Sequence, residues 1–376
     1  MAVPQGRFEL RRPQAGTRGP LRAWDAADEY VLGSIHRPTE RGPAALASGP
    51  LRVLLVNDTF GALATALANH DTTSIDDSFS ALKISAANLD RNEASATLLS
   101  TVEPPSRSLE TAPDLVIVKI PRTRSLLEHQ LHLVRHVASS DTTIIGAGMV
   151  KRIHTSTLDL FERIIGPTVT SLAQKKARLI FPTLDPRRTE ENPWPAEVEL
   201  DGKYSVVTHA GVFAGTKLDI GTRVLLENLP EVAPGIDAVD LGCGNGVLGA
   251  VLAARTGATV TFVDDSFLAV ASARATFERA APHGLAHFVV DDAGRGLPDA
   301  SYDLVLTNPP FHQGDVLSDA VAWDMFVQAR RILREGGELR VVSNRHLGYQ
   351  KKLKRLFGNC DLVTDTPKFT VLSARS

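Results

Sequence analysis

The sequence predicts an α/β protein made of two tandem Rossmann-like domains, related by an internal duplication and with the first copy degenerate. Three observations lead there. Apolar, strand-like runs alternate with helix-like stretches along nearly all of the 376 residues, the pattern of parallel sheets covered on both faces. Segments of the first half return in the second at nearly constant separation. Only the second half carries a glycine-rich turn between strand and helix.

The elements follow in order. Residues 1–22, polar and without an apolar core, read as a flexible N-terminal arm. The first domain, 23–181, opens with a helix in "AWDAADEYVLGSI" (23–35). "LRVLLVND" (51–58) is a buried strand and "FGALATALANH" (60–70) a helix with one apolar face. Then come strand "TTSIDD", helix "SFSALKISAANLDRN", strand "PDLVIVKIP" (113–121), helix "RSLLEHQLHLVRHVA" and strand "TTIIGAG" (142–148). Residues 182–196, rich in Pro and charge, read as a linker. The second domain, 197–376, starts with a hairpin turning at Asp201-Gly202. It continues strand, glycine loop and helix in "IDAVDLGCGNGVLGAVLAART", strand "TVTFVDDSF", helix "AVASARATFERA" and strand "AHFVVDDA". Strand "YDLVLTNPPF", helix "VAWDMFVQARRILREGG" and strand "ELRVVSN" complete the series.

Laid side by side, Ile75 meets Val263 (188 apart) and Asp114 meets Asp303 (189 apart). Gly166 meets Gly358, and Lys176 meets Lys368, both 192 apart. Unrelated domains sharing only a strand-helix rhythm would drift. In the first half "LLVNDTFGALAT" passes from strand to helix with no glycine-rich turn, and "KIPR" stands where the second half has "NPPF". Asp76 and Asp77 of "SIDDSF" read as the remains of a site, whereas Asp264 and Asp265 of "FVDDSF" stand beside an intact one.

A net charge of −2 gives no global basic field, so any nucleic acid must be held by local patches. Two cysteines make no disulfide framework and suit a reducing compartment. No apolar run reaches the roughly 20 residues that span a bilayer, and no membrane or metal association is expected. The expected location is the cytoplasm.

The chemistry concentrates in "DLGCGNG" (240–246): Asp240, Gly242, Cys243, Gly244, Asn245 and Gly246. Glycines at a strand-to-helix turn let backbone N–H groups approach a ligand, and the helix N-terminus favours an anionic group. Asp264, at the end of the next strand, is placed to accept both ribose hydroxyls of a nucleoside. The glycines alone also satisfy a dinucleotide pattern; a strand-end acid one residue removed from G-x-G-x-G, as Asp240 is, favours S-adenosyl-L-methionine. Asp292 is placed either for an adenine amine or as a helix cap. Phe213 precedes the glycine strand and is a candidate for the pocket wall.

Asn308, Pro309, Pro310 and Phe311 end the strand of "YDLVLTNPPF", in the crevice where open α/β sheets bind ligands. The Asn308 side-chain oxygen and Pro309 carbonyl can accept hydrogen bonds from a planar amine, and Phe311 can stack on its ring. Accepting those protons returns electron density to a nitrogen whose lone pair is conjugated, and steadies the charge formed as a methyl arrives. By these residues alone, adenine, cytosine, guanine and glutamine amines all remain open.

The chain resembles the bacterial ribosomal RNA guanine-N2 methyltransferases, most closely their large-subunit branch. The likeness is carried by "WDAADEY", "NDTFGALATALANH", "HTSTLDLFE", "KKARL", "VDLGCGNGVLG", "NPPFHQ", "AWDMF", "NRHLGY", "FGNC" and "KFTVL". The small-subunit branch shares the duplicated architecture and "NPPFH". The resemblance implies two class I methyltransferase domains, only the C-terminal one catalytic. It also implies methyl transfer from S-adenosyl-L-methionine to the N2 amine of one guanine in 23S rRNA, with a 16S guanine as the alternative. "AGTKLD" departs from the family after Phe213, which leaves Ala214 and Gly215 without a carried-over role.

A target guanine must be unpaired or flipped out, and its phosphates need cations. Arg345, Lys351, Lys352, Lys354 and Arg355 form one basic group; "MVKRIH", "QKKARL", Lys119 and Arg122 form another. The first domain is accordingly expected to bind and position RNA.

Overall fold

The computed structural model describes residues 1–12, 22–37, 49–102, 111–213, 218–310 and 316–376. The chain divides into two units that meet in sequence between Trp194 and Pro195.

The first unit begins with a small hairpin, β1 (Ala2–Val3) and β2 (Gly6–Arg7). Residues 1–12 are therefore not the flexible arm the sequence suggested. Asn92 exchanges two hydrogen bonds with the backbone of Glu9 (2.9 and 2.8 Å). Asn88 does the same with Arg11 (2.9 and 2.8 Å), and Leu10 is buried. Two asparagine amides thus satisfy this segment's backbone as a neighbouring strand would. Then come α1 (Ala26–His36), β3 (Arg52–Val56), α2 (Ala62–Ala66), β4 (Asp71–Asp76) and α3 (Phe79–Arg91). β5 (Thr97–Ser100), β6 (Leu115–Lys119), α4 (Arg124–Val137), β7 (Thr143–Met149), α5 (Thr155–Ile164), β8 (Thr168–Thr170) and β9 (Ala177–Pro182) complete it. The sheet order is β5-β4-β3-β6-β7-β9-β8, parallel except at the two pairs made by β9.

The second unit opens with the expected hairpin, β10 (Ala196–Leu200) and β11 (Tyr204–Thr208), whose turn puts Asp201 and Gly202 at φ 53° and 63°. It continues through α6 (Ile220–Glu227), β12 (Asp237–Leu241), α7 (Val247–Thr256), β13 (Thr259–Asp264), α8 (Phe267–Ala280), β14 (Ala286–Val290) and β15 (Tyr302–Thr307). α9 (Val316–Ile332), β16 (Leu333–Asn344), α10 (Tyr349–Phe357), β17 (Asp361–Asp365) and β18 (Phe369–Arg375) follow. Its sheet order is β14-β13-β12-β15-β16-β18-β17.

The two orders are the same order, element for element. The match extends to single bonds at the strand starts: Asp114 Oδ2 accepts the Arg52 N–H (2.8 Å) and Asp303 Oδ2 the Asp237 N–H (2.9 Å). Each sheet has apolar clusters on both faces, so the strands are buried as a parallel sheet requires. Residues 183–194 are held to the first unit. Arg135 on α4 donates to the carbonyls of Ile164 and Asp185 (3.1 and 3.0 Å), and Trp194 Nε1 donates to Glu128 (3.1 Å).

Candidate active site

β12 hands over to α7 through Gly242, Gly244 and Gly246, with φ of 70°, 54° and 74°. Two of these glycines serve different ends. A Cβ at 246 would lie 2.6 Å from Ala273, so this glycine lets α7 close against α8. A Cβ at 244 would meet nothing within 4 Å: the loop is bare there and faces open space. Asn245 is buried and occupied, donating to Thr208 Oγ1 (3.3 Å) and accepting from the Val247 N–H (3.4 Å). It ties the loop to β11. Cys243 is buried, and burial beside Asp264 and Asp240 holds its thiol well above the usual range, so it is no nucleophile.

Asp264 ends β13 half-buried, with Oδ2 accepting from Gly244 N–H and Oδ1 from Ser266 N–H, both at 3.0 Å. Its side chain is fixed at the loop by backbone N–H groups, that of Asp265 among them, and desolvation raises its pKa. Asp265 beside it is half-buried too. Asp240 is 1% exposed. Its Oδ2 accepts from Gly249 N–H (2.9 Å), its Oδ1 has no partner among the described residues, and burial pushes its pKa up to about 7.

Asn308 follows β15. The Thr307 hydroxyl donates to the Leu241 carbonyl (2.8 Å), which pins the end of β15 beside the start of the glycine loop. The Asn308 Nδ2 donates to Asp219 Oδ2 (3.2 Å) and Thr222 Oγ1 (2.9 Å) on α6. Its Oδ1 is buried and has no partner among the described residues. Pro309 is buried and Pro310 exposed. Phe311 lies outside the described residues, as do His312, Ala214 and Gly215.

Two expected residues stand differently. Asp292 is about half exposed, and its carboxylate pairs with Arg295 (3.0 Å), which also reaches Asp324 (2.5 Å). Its buried neighbour Asp291 caps the Gly296 N–H (2.8 Å). Phe213 is 57% exposed. Asp219 caps α6 and Thr222 lies in its first turn. Their link to Asn308 spans 89 and 86 residues, and no local pattern announces it.

In the first unit the positions equivalent to Asn308 and Gly242 are satisfied internally. Lys119 ends β6 where Asn308 follows β15, and its ammonium pairs with Asp25 (3.1 Å) and the buried Asp28. Lys119 is 14% exposed, so it is not the phosphate ligand the sequence suggested. Asn57, in place of Gly242, exchanges bonds with the buried Gln130 (2.7 and 2.6 Å). The turn itself survives here: Asn57 and Gly61 keep φ of 65° and 69° without the glycine-rich sequence. Asp58 caps the Ala64 N–H (2.7 Å), as Asp240 caps Gly249.

Of the basic group, Arg345 pairs with Asp365 (3.0 Å), Lys352 with Asp319, and Arg355 lies over Trp323 (4.9 Å). Lys351 and Lys354 are exposed on α10. Among the described residues there is no metal-ligand cluster and no helix long and apolar enough to cross a membrane.

Residues 1–186 match the profile of the RLMG N-terminal domain, and residues 203–373 that of the methyltransferase small domain. The chain is 49% identical to a ribosomal RNA large subunit methyltransferase G of Streptomyces avermitilis, covering 100% of this chain and 98% of that one. It is 46% identical to one of Erwinia tasmaniensis, covering 96% and 95%. Among solved structures, a T. thermophilus 16S rRNA N2 methyltransferase in complex with AdoMet and guanosine aligns with a TM-score of 0.72 at 25% identity. That alignment covers 89% of this chain and 90% of that one.

Proposed function

The chain belongs to the ribosomal RNA large subunit methyltransferase G family, and from that premise we propose that it methylates the exocyclic N2 amine of one guanine in 23S rRNA. It is an S-adenosyl-L-methionine-dependent rRNA methyltransferase with its working site in the second unit. The observation that carries the amine reading is the Asn308 Oδ1: buried, without a partner among the described residues, and on an amide whose nitrogen is already committed. A buried acceptor without a donor is costly unless a ligand supplies one.

S-adenosyl-L-methionine, when bound, supplies a methyl activated by a sulfonium sulfur. The residues present suit it. Gly244 leaves the space a Cβ would fill, and the Asp264 carboxylate, anchored at the loop by backbone N–H groups, offers acceptor oxygens to the ribose hydroxyls. Asp240 Oδ1 is a further acceptor at the base of the loop. Asn308 Oδ1 accepts an N–H of the guanine amine, which orients the nitrogen and raises its electron density as the methyl arrives. An amide oxygen is too weak a base to keep the proton, which passes on to water. Asp292, half exposed and paired with Arg295, remains the candidate for the adenine amine.

The large-subunit target rests on the relatives at 46–49% identity; the small-subunit neighbour stands at 25%. The exposed Lys351 and Lys354 remain the phosphate candidates of the second unit. In the first unit that role falls to Arg122, Lys151 and Arg152, not Lys119. A chain acting on rRNA works where ribosomes are assembled, which supports a cytoplasmic location. In a transfer assay, Asn308→Ala should lower the rate by about 10²–10³-fold while cofactor affinity changes little. Full residual activity would remove Asn308 from the mechanism.

A further inference from the structure

We infer that Asp219, seconded by Thr222, is a positioning residue that fixes which way round the Asn308 amide sits. This rests on the methyl-transfer reading of Asn308. An asparagine amide can flip by 180° with almost no change of shape, and the two faces have opposite chemistry. With its oxygen outward Asn308 accepts from a substrate amine; with its nitrogen outward it would oppose that amine donor to donor. Something must choose between the two.

Asp219 is the N-cap of α6, and one oxygen of it does two things. Its Oδ2 accepts the Thr222 N–H (3.0 Å), the ordinary capping bond, and also the Asn308 Nδ2 (3.2 Å). A carboxylate can only accept, so it holds the amide nitrogen inward and leaves Oδ1 aimed away. The Thr222 hydroxyl at 2.9 Å takes the same nitrogen. Because the acid is fixed at a helix start by its own capping bond, it is a rigid reference rather than a floppy surface side chain.

The degenerate copy shows the same frame put to another use. Asp25 is the N-cap of α1 and Asp28 stands three residues on, as Thr222 does from Asp219. Both reach the residue at the end of the central strand, here Lys119. The link from helix cap to strand-end donor is therefore present in both units. A lysine has no acceptor to aim, so in the first unit the link ends in an ion pair; in the second it presents an oxygen.

The test is a set of variants in the full-length protein, with single-turnover methyl transfer, S-adenosyl-L-methionine affinity and thermal melting as readouts. Asp219→Ser keeps a good N-cap but cannot span to Asn308 in the same way. Transfer should fall about 10–100-fold, with melting and cofactor affinity nearly unchanged. Asp219→Asn, which can place its own amide oxygen where Oδ2 stood, should restore the rate to within a few-fold. Asp219→Ser combined with Asn308→Ala should be no slower than Asn308→Ala alone, because both act through one oxygen. If Asp219→Ser fails to fold, Thr222→Val replaces it, with a loss of several-fold that likewise vanishes in the Asn308→Ala background. A wild-type rate in Asp219→Ser beside a slow Asn308→Ala overturns the positioning role and leaves the methyl-transfer reading standing, as does full additivity of the two. A wild-type rate in Asn308→Ala removes the reading beneath both.

Discussion

A methyl group added at residue 244 has room, and one added at 246 has none, although both backbones sit at positive φ. Gly244→Ala should cost the fold about 1–2 kcal/mol of backbone strain and act mainly by weakening S-adenosyl-L-methionine binding. Gly246→Ala adds the overlap with Ala273 and should destabilise by roughly 2–4 kcal/mol. Melting curves and cofactor titrations on the two variants separate these effects; equal loss of stability in both would contradict the division of labour. Asp240 gives a prediction in pH. Its carboxyl ionises near 4 in the unfolded chain and is pushed up to about 7 when folded. Between these values the folded chain holds a proton that the unfolded chain has released, so stability falls as pH rises from about 4 to 7, by up to roughly 4 kcal/mol. Asp240→Asn should flatten much of that slope in denaturant titrations at pH 5 and 8. Asp58, pushed up to about 6, adds a smaller slope of the same sign from the first unit.

At the scale of elements, the strand-loop-helix joints behave as fixtures with exchangeable side chains. Removing Lys119 would leave Asp25 and the buried Asp28 facing each other without a cation. Lys119→Ala should therefore destabilise the first unit by about 3–5 kcal/mol, measured by urea unfolding. A change within error would mean the ion pair carries nothing. The same elements show what the sequence could disclose. The glycine loop, the acid ending β13 and Asn308 at the end of β15 were legible because each is a local signature at a strand end. The Asp292–Arg295 pair, three residues apart, was open to a local reading and was missed. The Asp219–Asn308 bond was not legible, because only the fold brings together residues 89 apart. Nor was the survival of the turn in the first unit, where Asn57 adopts a φ of 65° that usually marks glycine.

Across the whole molecule, one architecture is written twice with opposite outcomes. The nearly constant separation of 188–192 residues read from sequence corresponds to two sheets of identical strand order. In the first unit the strand-end groups pair with helix residues, Lys119 with two acids at the start of α1 and Asn57 with Gln130 of α4. In the second, Asp240 and Asn308 keep buried acceptors for something else. Calorimetry should therefore find one S-adenosyl-L-methionine per chain, and two would contradict the assignment of the first unit as degenerate. The most direct test of the central claim is to incubate the protein with labelled S-adenosyl-L-methionine and unmethylated 16S and 23S rRNA, and to map the label by mass spectrometry. The account predicts one N2-methylguanine in 23S rRNA, lost in Asn308→Ala; label confined to 16S rRNA, or carried on any other atom, would contradict it.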